Sequence, residues 1–375
     1  MKTATKIMLL CPLGNKGVAN GGITSWSQDF VRSFPDEEFE LFPVDTSPKK
    51  HFSGLKKWER YYYGMGAFFR ILRDMQRIFR AHPDLKVMHI TTSASYGVFR
   101  DNIVCRVCQR RGIKTVMHCR FGSIRGQYLS TDRRGRFFRK NLQRYDQIWV
   151  LDSLSAQFLK EQEGIGHKIF TTPNPIRVPA TCSLVPKTYR KVGYIGNLLP
   201  TKGVRELVEA VVNSHTDTEL LIVGPGDEDY IGRLKDMAAP LLDTRIKFMG
   251  RVPNDEAVGL IDSLDILALP TYYWGEAFPI SILEAMSRGK LVISCRRAAI
   301  PDMLTSVDGS PCGILVQEKS SQALADAITW CQDHRKEADE MCRKAYEKVK
   351  DAYRKEVVYD IYRQNYRRLL SSDHE

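Results

Sequence analysis

Between Asp265 and Gly289 the chain reads DILALPTYYWGEAFPISILEAMSRG, a stretch that leaves few folds open to it. Ile266, Leu267, Ala268 and Leu269 form a short apolar run closed by Pro270, the pattern of a buried strand. An aromatic loop follows, Tyr272-Tyr273-Trp274-Gly275, ending in Glu276. Pro279 can open a helix, because its missing N–H is one that the first turn leaves unpaired in any case. The helix is predicted over residues 280–288, with its stop at Gly289. The N–H groups of Ala277, Phe278, Ile280 and Ser281 then surround a positive helix start, which suits a diphosphate. Glu276 lies in the approach loop and Glu284 about a turn inside the helix, so two carboxylates address different parts of one extended ligand.

The same alternation runs through the chain. Strands are predicted at residues 6–12, 39–45, 86–91, 113–118, 146–152 and 168–172, and again at 191–196, 219–224, 245–250, 265–270, 291–294 and 313–316. Helices intervene, among them 24–33, 102–111, 204–213, 321–333, 335–350 and a tail at 355–370. Strands alternating with helices imply α/β architecture, with parallel sheets that bind ligands at the carboxyl ends of their strands. Residues 178–190 are weakly patterned and hold Pro179 and Pro186, so they read as an interdomain linker.

A length of 375 residues suggests two or three domains, and 43% hydrophobic with 27% charged residues is ordinary for a globular protein. No apolar run approaches the ~20 residues of a membrane helix. Residues 7–11 read as a first buried strand rather than a signal peptide, since no small-residue cleavage site follows. Nine scattered cysteines point to reduced thiols in a cytoplasm, and the lone pair Cys105 and Cys108 lacks the second pair of a zinc ribbon.

The net charge of +12 is unevenly spread: residues 1–185 balance to +15 and the remainder to −3. Anionic partners are therefore expected on the first half: a membrane surface, a phosphorylated acceptor, or nucleic acid. Between Lys49 and Arg80, Phe68, Ile71, Leu72, Met75, Ile78 and Phe79 share one helical face, and Arg70, Arg73, Arg77 and Arg80 the opposite one. Lys56, Lys57, Trp58 and Tyr61 to Tyr63 precede them, a mixture suited either to an anionic bilayer or to a solvated helix back. A second basic run spans Arg133, Arg134, Arg136, Arg139, Lys140 and Arg144. No helix-turn-helix, zinc-finger or RNP pattern accompanies the charge, so nucleic acid is the weaker expectation.

Glu276 through Met286, with Gly289 and the apolar Leu291 to Ile293, resembles the E-x7-E motif of retaining GT-B glycosyltransferases, with Ala277 where that motif has Gly. The likeness is to the family-4 enzymes of bacterial capsular, exopolysaccharide and lipopolysaccharide synthesis. Lys202-Gly203 resembles that family's phosphate site, with Asn197 in place of its Arg, and Arg251 is a candidate substitute. Gly196, Gly224 and the Gly250-Arg251-Val252 segment match its nucleotide pocket, Gly21-Gly22-Ile23 its first loop, and Pro173-Asn174 its turn near the domain boundary. His118, in His118-Cys119-Arg120, matches a histidine that reaches the donor sugar.

The resemblance implies two Rossmann-like domains with parallel sheets facing a cleft, 1–180 for the acceptor and 181–354 for the donor. A last helix, about 355–375, crosses back to the first domain on Tyr359, Ile361, Tyr362, Tyr366 and Leu369. It implies metal-independent transfer from a nucleotide sugar, such as a UDP-sugar, to a glycan or lipid-linked acceptor in cell-surface polysaccharide synthesis; the charge split and the arginine stripe, rather than the resemblance, place that work in the cytoplasm, on the inner face of the plasma membrane. Glu284 then holds the ribose hydroxyls. Glu276, with the backbone of Ala277, Phe278, Pro279 and Ile280, holds the sugar, and His118 positions its C6 side. Lys202 and the Gly22 backbone stabilise the departing diphosphate, the work a metal does elsewhere. A nucleotide-sugar epimerase of the same shape and a non-catalytic anion-binding protein stand as alternatives.

Overall fold

The apolar runs of the first half become six parallel strands: β1 (Thr5–Cys11), β2 (Phe39–Asp45), β3 (Val87–Thr92), β4 (Lys114–Cys119), β5 (Gln147–Val150) and β6 (Ile169–Thr171). Their order in the sheet is β2-β1-β3-β4-β5-β6. The computed structural model describes residues 4–14, 22–47, 56–93, 97–180, 184, 188–214 and 216–371. They form two units, Met1–Thr172 with Tyr359–Glu375, and Pro173–Val358. The inner strands are buried on both faces, which is why they read as unbroken apolar runs rather than alternating ones.

From Tyr359 onward, helix Lys355–Ser371 belongs to the first unit. Tyr359, Tyr362, Tyr366 and Leu369 are buried, with Ile361 partly so. Tyr359 and Tyr362 meet Phe30 edge-on at 5.9 and 5.6 Å, and Tyr366 lies 5.0 Å from Trp149. Each such aromatic pair contributes about 0.5–1.5 kcal/mol beyond its buried area. Arg363 bonds Asp36 at 2.6 Å and Arg367 grips Glu38 with two bonds, at 2.7 and 2.5 Å.

The second unit holds β7 (Lys191–Ile195), β8 (Glu219–Val223), β9 (Ile246–Gly250), β10 (Ile266–Leu269), β11 (Leu291–Cys295) and β12 (Ile314–Val316), all parallel. The order is β12-β11-β10-β7-β8-β9. Strand order reverses between β10 and β7, so the loops leaving these two strands diverge from a shared crevice, the place where open α/β sheets bind ligands.

Several local expectations are corrected. Gly22 is the first residue of helix Gly22–Ser33, which starts two residues before the predicted 24. Gly21 of the Gly21-Gly22-Ile23 loop, with residues 15–20 before it, and the side chains of Trp58 and Tyr61 to Tyr63 lie outside what the structure describes. Pro279 is the N-cap, with extended backbone, rather than the first helical residue, and the helix is shorter, Ile280–Met286. Helix Arg335–Lys348 gives way to a π-helical turn, Val349–Tyr353.

The four-arginine stripe is also corrected. Arg70 turns back to Ser47 O at 2.6 Å and to Asp45 at 3.6 Å, because β2 ends beside it in a carboxylate. Arg73, Arg77 and Arg80 are exposed on helix Lys57–Ala81, the first two flanking Asp74 at 3.4 and 3.6 Å. Phe69 and Met65, at 61% and 37% exposure, continue the same helical stripe. The eight described cysteines are buried, and none of them is in a disulfide. Burial pushes the Cys105 thiol up to about 12, as befits a packing residue.

Candidate active site

The crevice of the second unit is built from two loops. After β7 the chain runs through Gly196 and Asn197 to a short 3-10 turn, Pro200–Lys202. Gly203 follows with φ +74°, where an added Cβ would stand 2.2 Å from Pro270 O. Only glycine lets the β7 loop close on the β10 loop there. Thr201 O accepts the Tyr272 N–H at 2.9 Å, which ties the two loops together. The outcome is that Lys202 Nζ bonds Glu276 Oε2 at 2.5 Å, both side chains being largely buried at 16% and 10% exposure.

The backbone beyond Glu276 is held from behind. Ala277 O accepts from Ala299 N–H at 3.1 Å, and Phe278 O from Asn174 Nδ2 at 2.9 Å. The Phe278 ring meets Tyr353 edge-on at 5.4 Å. Carbonyls drawn backwards leave the N–H groups of Ala277, Phe278, Ile280 and Ser281 without an acceptor among the described residues. They carry the partial positive charge of a helix start.

Glu284 is half-buried, and its carboxylate makes no hydrogen bond to any described residue. Burial raises its pKa from the ordinary glutamate value, with Arg288 pulling the other way. Gly224 adjoins from β8: with φ +143°, its added Cβ would stand 1.9 Å from Gly196 O, so these two backbones touch. Asn197 is exposed and its carbonyl accepts from the Tyr194 hydroxyl at 2.8 Å. Arg251 is exposed just past β9 and makes no ion pair with a described residue, with Val252 half-buried beside it.

His118 lies deeper than the sequence suggests. It is fully buried in β4, ringed by Trp26, Trp149 and Tyr362 at 5.1, 5.6 and 6.0 Å. Arg120 Nη1 donates to His118 Nε2 at 3.3 Å, and the Thr172 hydroxyl stands 3.4 Å from the same nitrogen. Since a guanidinium only donates, His118 carries its proton on Nδ1 and gives it to His89 Nε2 at 3.2 Å; His89 Nδ1 then donates to the Tyr366 hydroxyl. Burial keeps both histidines neutral, foremost by desolvation and then by the Arg120 charge, with His89 lowered to about 3. Both His118 nitrogens have partners within the fold, and the group closer to the surface is Arg120, stacked 3.9 Å over Trp26. In Gly22 an added Cβ would meet none of the described residues within 4 Å.

Residues 183–348 match the family model of glycosyl transferases group 1. The phosphatidyl-myo-inositol mannosyltransferase of Mycobacterium leprae is 32% identical over 177 residues, covering 45% of this chain and 45% of that protein. A D-inositol 3-phosphate glycosyltransferase of Corynebacterium jeikeium is 31% identical over 153 residues, 38% of this chain and 35% of that one. The chain thus spans less than half the length of these curated relatives. Anabaena Alr3699/HepE, solved with UDP and glucose, superposes with a TM-score of 0.70 at 17% identity, over 98% of this chain and all of that one. The fold is GT-B.

In this GT-B chain the sequence missed three supports: Asn174 as anchor of the Phe278 carbonyl, Arg297, which donates to Tyr272 O at 2.6 Å, and Arg120. Each sits just past a strand, at a carboxyl end, and that position was the available signal. Among the described residues no three His, Cys, Asp or Glu side chains group as metal ligands, and no helix is long and apolar enough to cross a membrane.

Proposed function

We propose that this protein is a retaining, metal-independent glycosyltransferase of the family-4 type. It moves a sugar from a nucleotide sugar, a UDP-sugar in our reading, to a glycan or lipid-linked acceptor in cell-surface polysaccharide synthesis. The observation that carries this is the Lys202–Glu276 pair at the β7 and β10 ends, with the unpartnered Glu284 carboxylate one helical turn beyond. A diphosphate draws the Lys202 ammonium away from Glu276, which frees that carboxylate for sugar hydroxyls. The open N–H groups of Ala277, Phe278, Ile280 and Ser281 take further phosphate charge as it develops on departure. Glu284 accepts from the ribose, and Gly196, Asn197, Gly224, Arg251 and Val252 line the nucleotide. His118 acts as a positioning residue, through Arg120.

UDP in the HepE complex supports the donor class, and a relative named for phosphatidyl-myo-inositol supports a lipid-borne acceptor. The protein docks reversibly on the inner membrane face through Met65, Phe69, Arg73, Arg77 and Arg80, where each basic residue contributes about 1 kcal/mol near anionic lipid. The test is a panel of UDP-, GDP- and ADP-sugars in a thermal-shift assay, followed by transfer to membrane extract. Stabilisation by one sugar nucleotide and labelled product are expected. Free epimerised sugar nucleotide without transfer would replace the reading with an epimerase, and no stabilisation by any donor would end it.

A further inference from the structure

We propose a second anion site in the second unit, formed where the chain enters and leaves it, for a phosphate group borne by a soluble ligand or a lipid headgroup. It stands apart from the donor crevice and does not rest on the transferase reading. Its frame is a backbone clasp. Ile176 N–H donates to Tyr353 O at 2.8 Å and Lys355 N–H to Ile176 O at 3.1 Å, a parallel bridge that pairs Ile176 with Arg354. Arg177 therefore emerges beside Arg354.

The π-helical turn Val349–Tyr353 adds Lys350 to the same rim; such turns are rare and concentrate at functional sites. The result is a cavity of about 420 Å³ lined by Arg177, Tyr346, Lys350, Arg354, Lys355 and Glu356 among others. Four cations share it with one carboxylate. Arg177, Lys350 and Arg354 form no ion pair with any described residue, although Asp351 and Glu356 are close in sequence. Like charges gathered in one concavity repel, and a bound anion relieves that repulsion. Two guanidiniums suit a phosphate better than two ammoniums would, because each offers a planar fork of donors. The volume falls within the range of small-ligand pockets. Tyr353, which carries the clasp carbonyl, also packs on Phe278, so the site shares a rigid backing with the Glu276 loop.

The experiment uses the full chain carrying Lys202→Ala, so that the donor crevice contributes little. Inorganic pyrophosphate is titrated by calorimetry, and phosphatidic acid vesicles are sedimented with protein that also carries Arg73, Arg77 and Arg80 changed to Gln. Saturable pyrophosphate binding is expected, weakened about tenfold or more by Arg177→Gln with Arg354→Gln, as loss of charged hydrogen bonds implies. Arg354→Lys, which keeps charge and backbone register, should fall between. If the same double change also abolishes vesicle binding, the ligand is a lipid headgroup; if only pyrophosphate is lost, it is a soluble phosphate. No saturable binding of either probe, or binding of both unchanged by Arg177→Gln with Arg354→Gln and by Arg354→Lys, overturns the site.

Discussion

Lys202 Nζ lies 2.5 Å from Glu276 Oε2, a salt bridge that joins two loops 74 residues apart and is mostly withdrawn from water. Removing one partner of such a pair strands the other charge, at a cost of about 3–5 kcal/mol, whereas removing both costs less than the two single losses together. Lys202→Ala and Glu276→Ala should each lower the unfolding midpoint in urea, and the double variant should be more stable than their sum predicts. Lys202→Ala should also weaken donor binding, while Glu276→Ala should reduce kcat more than donor affinity. Additivity within about 0.5 kcal/mol would mean that the two residues act separately.

Glu284 offers a pH test. Its folded pKa is raised, so its protonated form favours folding, and that contribution is lost as pH rises through the raised value. Donor binding runs the opposite way, because only the carboxylate accepts from two ribose hydroxyls. Nucleotide affinity should therefore strengthen in the wild type as pH rises through that raised value. In Glu284→Gln it should be weaker and flat across that window, as read by calorimetric titration with UDP; a wild-type slope in the variant would assign the titration to another group.

His89 and His118 give a stability test with a definite sign. Both are neutral in the fold, so their stabilising share is complete above the unfolded value near 6.5 and is lost as pH falls toward the folded value, about 3 for His89. Each adds up to about 1.4 kcal/mol of destabilisation per pH unit below 6.5. Melting temperature should fall between pH 7 and 5, and His118→Asn should shallow that fall. An equal slope in the variant would show that carboxylates alone set the acid limb.

Two glycines should behave differently. Gly203→Ala meets Pro270 O and a left-handed backbone together, and a loss of about 2 kcal/mol or more is expected. Gly22→Ala meets none of the described residues at a helix start and should leave stability within about 1 kcal/mol, by chemical denaturation. Equal losses would mean that the turn at Gly203 relaxes.

The basic helix yields a further contrast. Changing Arg73, Arg77 and Arg80 to Gln should abolish flotation with phosphatidylserine vesicles and slow transfer to a lipid-linked acceptor, leaving donor affinity intact. Arg70→Gln should instead lower the melting temperature by breaking the contacts with Asp45 and Ser47, with flotation unchanged. If the triple variant floats as wild type does, the stripe is a solvated helix back.

The strands were legible because parallel strands buried on both faces write themselves as short apolar runs, as at Ile266 to Leu269. Glu276 and Lys202 were each legible as a site residue through resemblance, but their pairing was not. Contact between them depends on β7 lying next to β10, a fact of strand order that local pattern does not carry. The depth of His118 escaped for the same reason: Tyr362, which closes over it, comes from a helix more than 200 residues later. Arg70 misled because helical period assigns a face and says nothing of a carboxylate waiting at the end of β2.

Helix Lys355–Ser371 brings Tyr359, Tyr362 and Tyr366 to the first unit only after the whole second unit has been translated. Until then Phe30, Phe34 and Trp149 lack these three tyrosines, and His89 lacks the hydroxyl that accepts its hydrogen bond. Folding in order of synthesis, the habit of many multidomain chains, is thus reversed: the unit made first is the one finished last. On the ribosome its sheet must wait with an apolar face uncovered, which makes a nascent chain halted before Tyr359 a natural client for a chaperone.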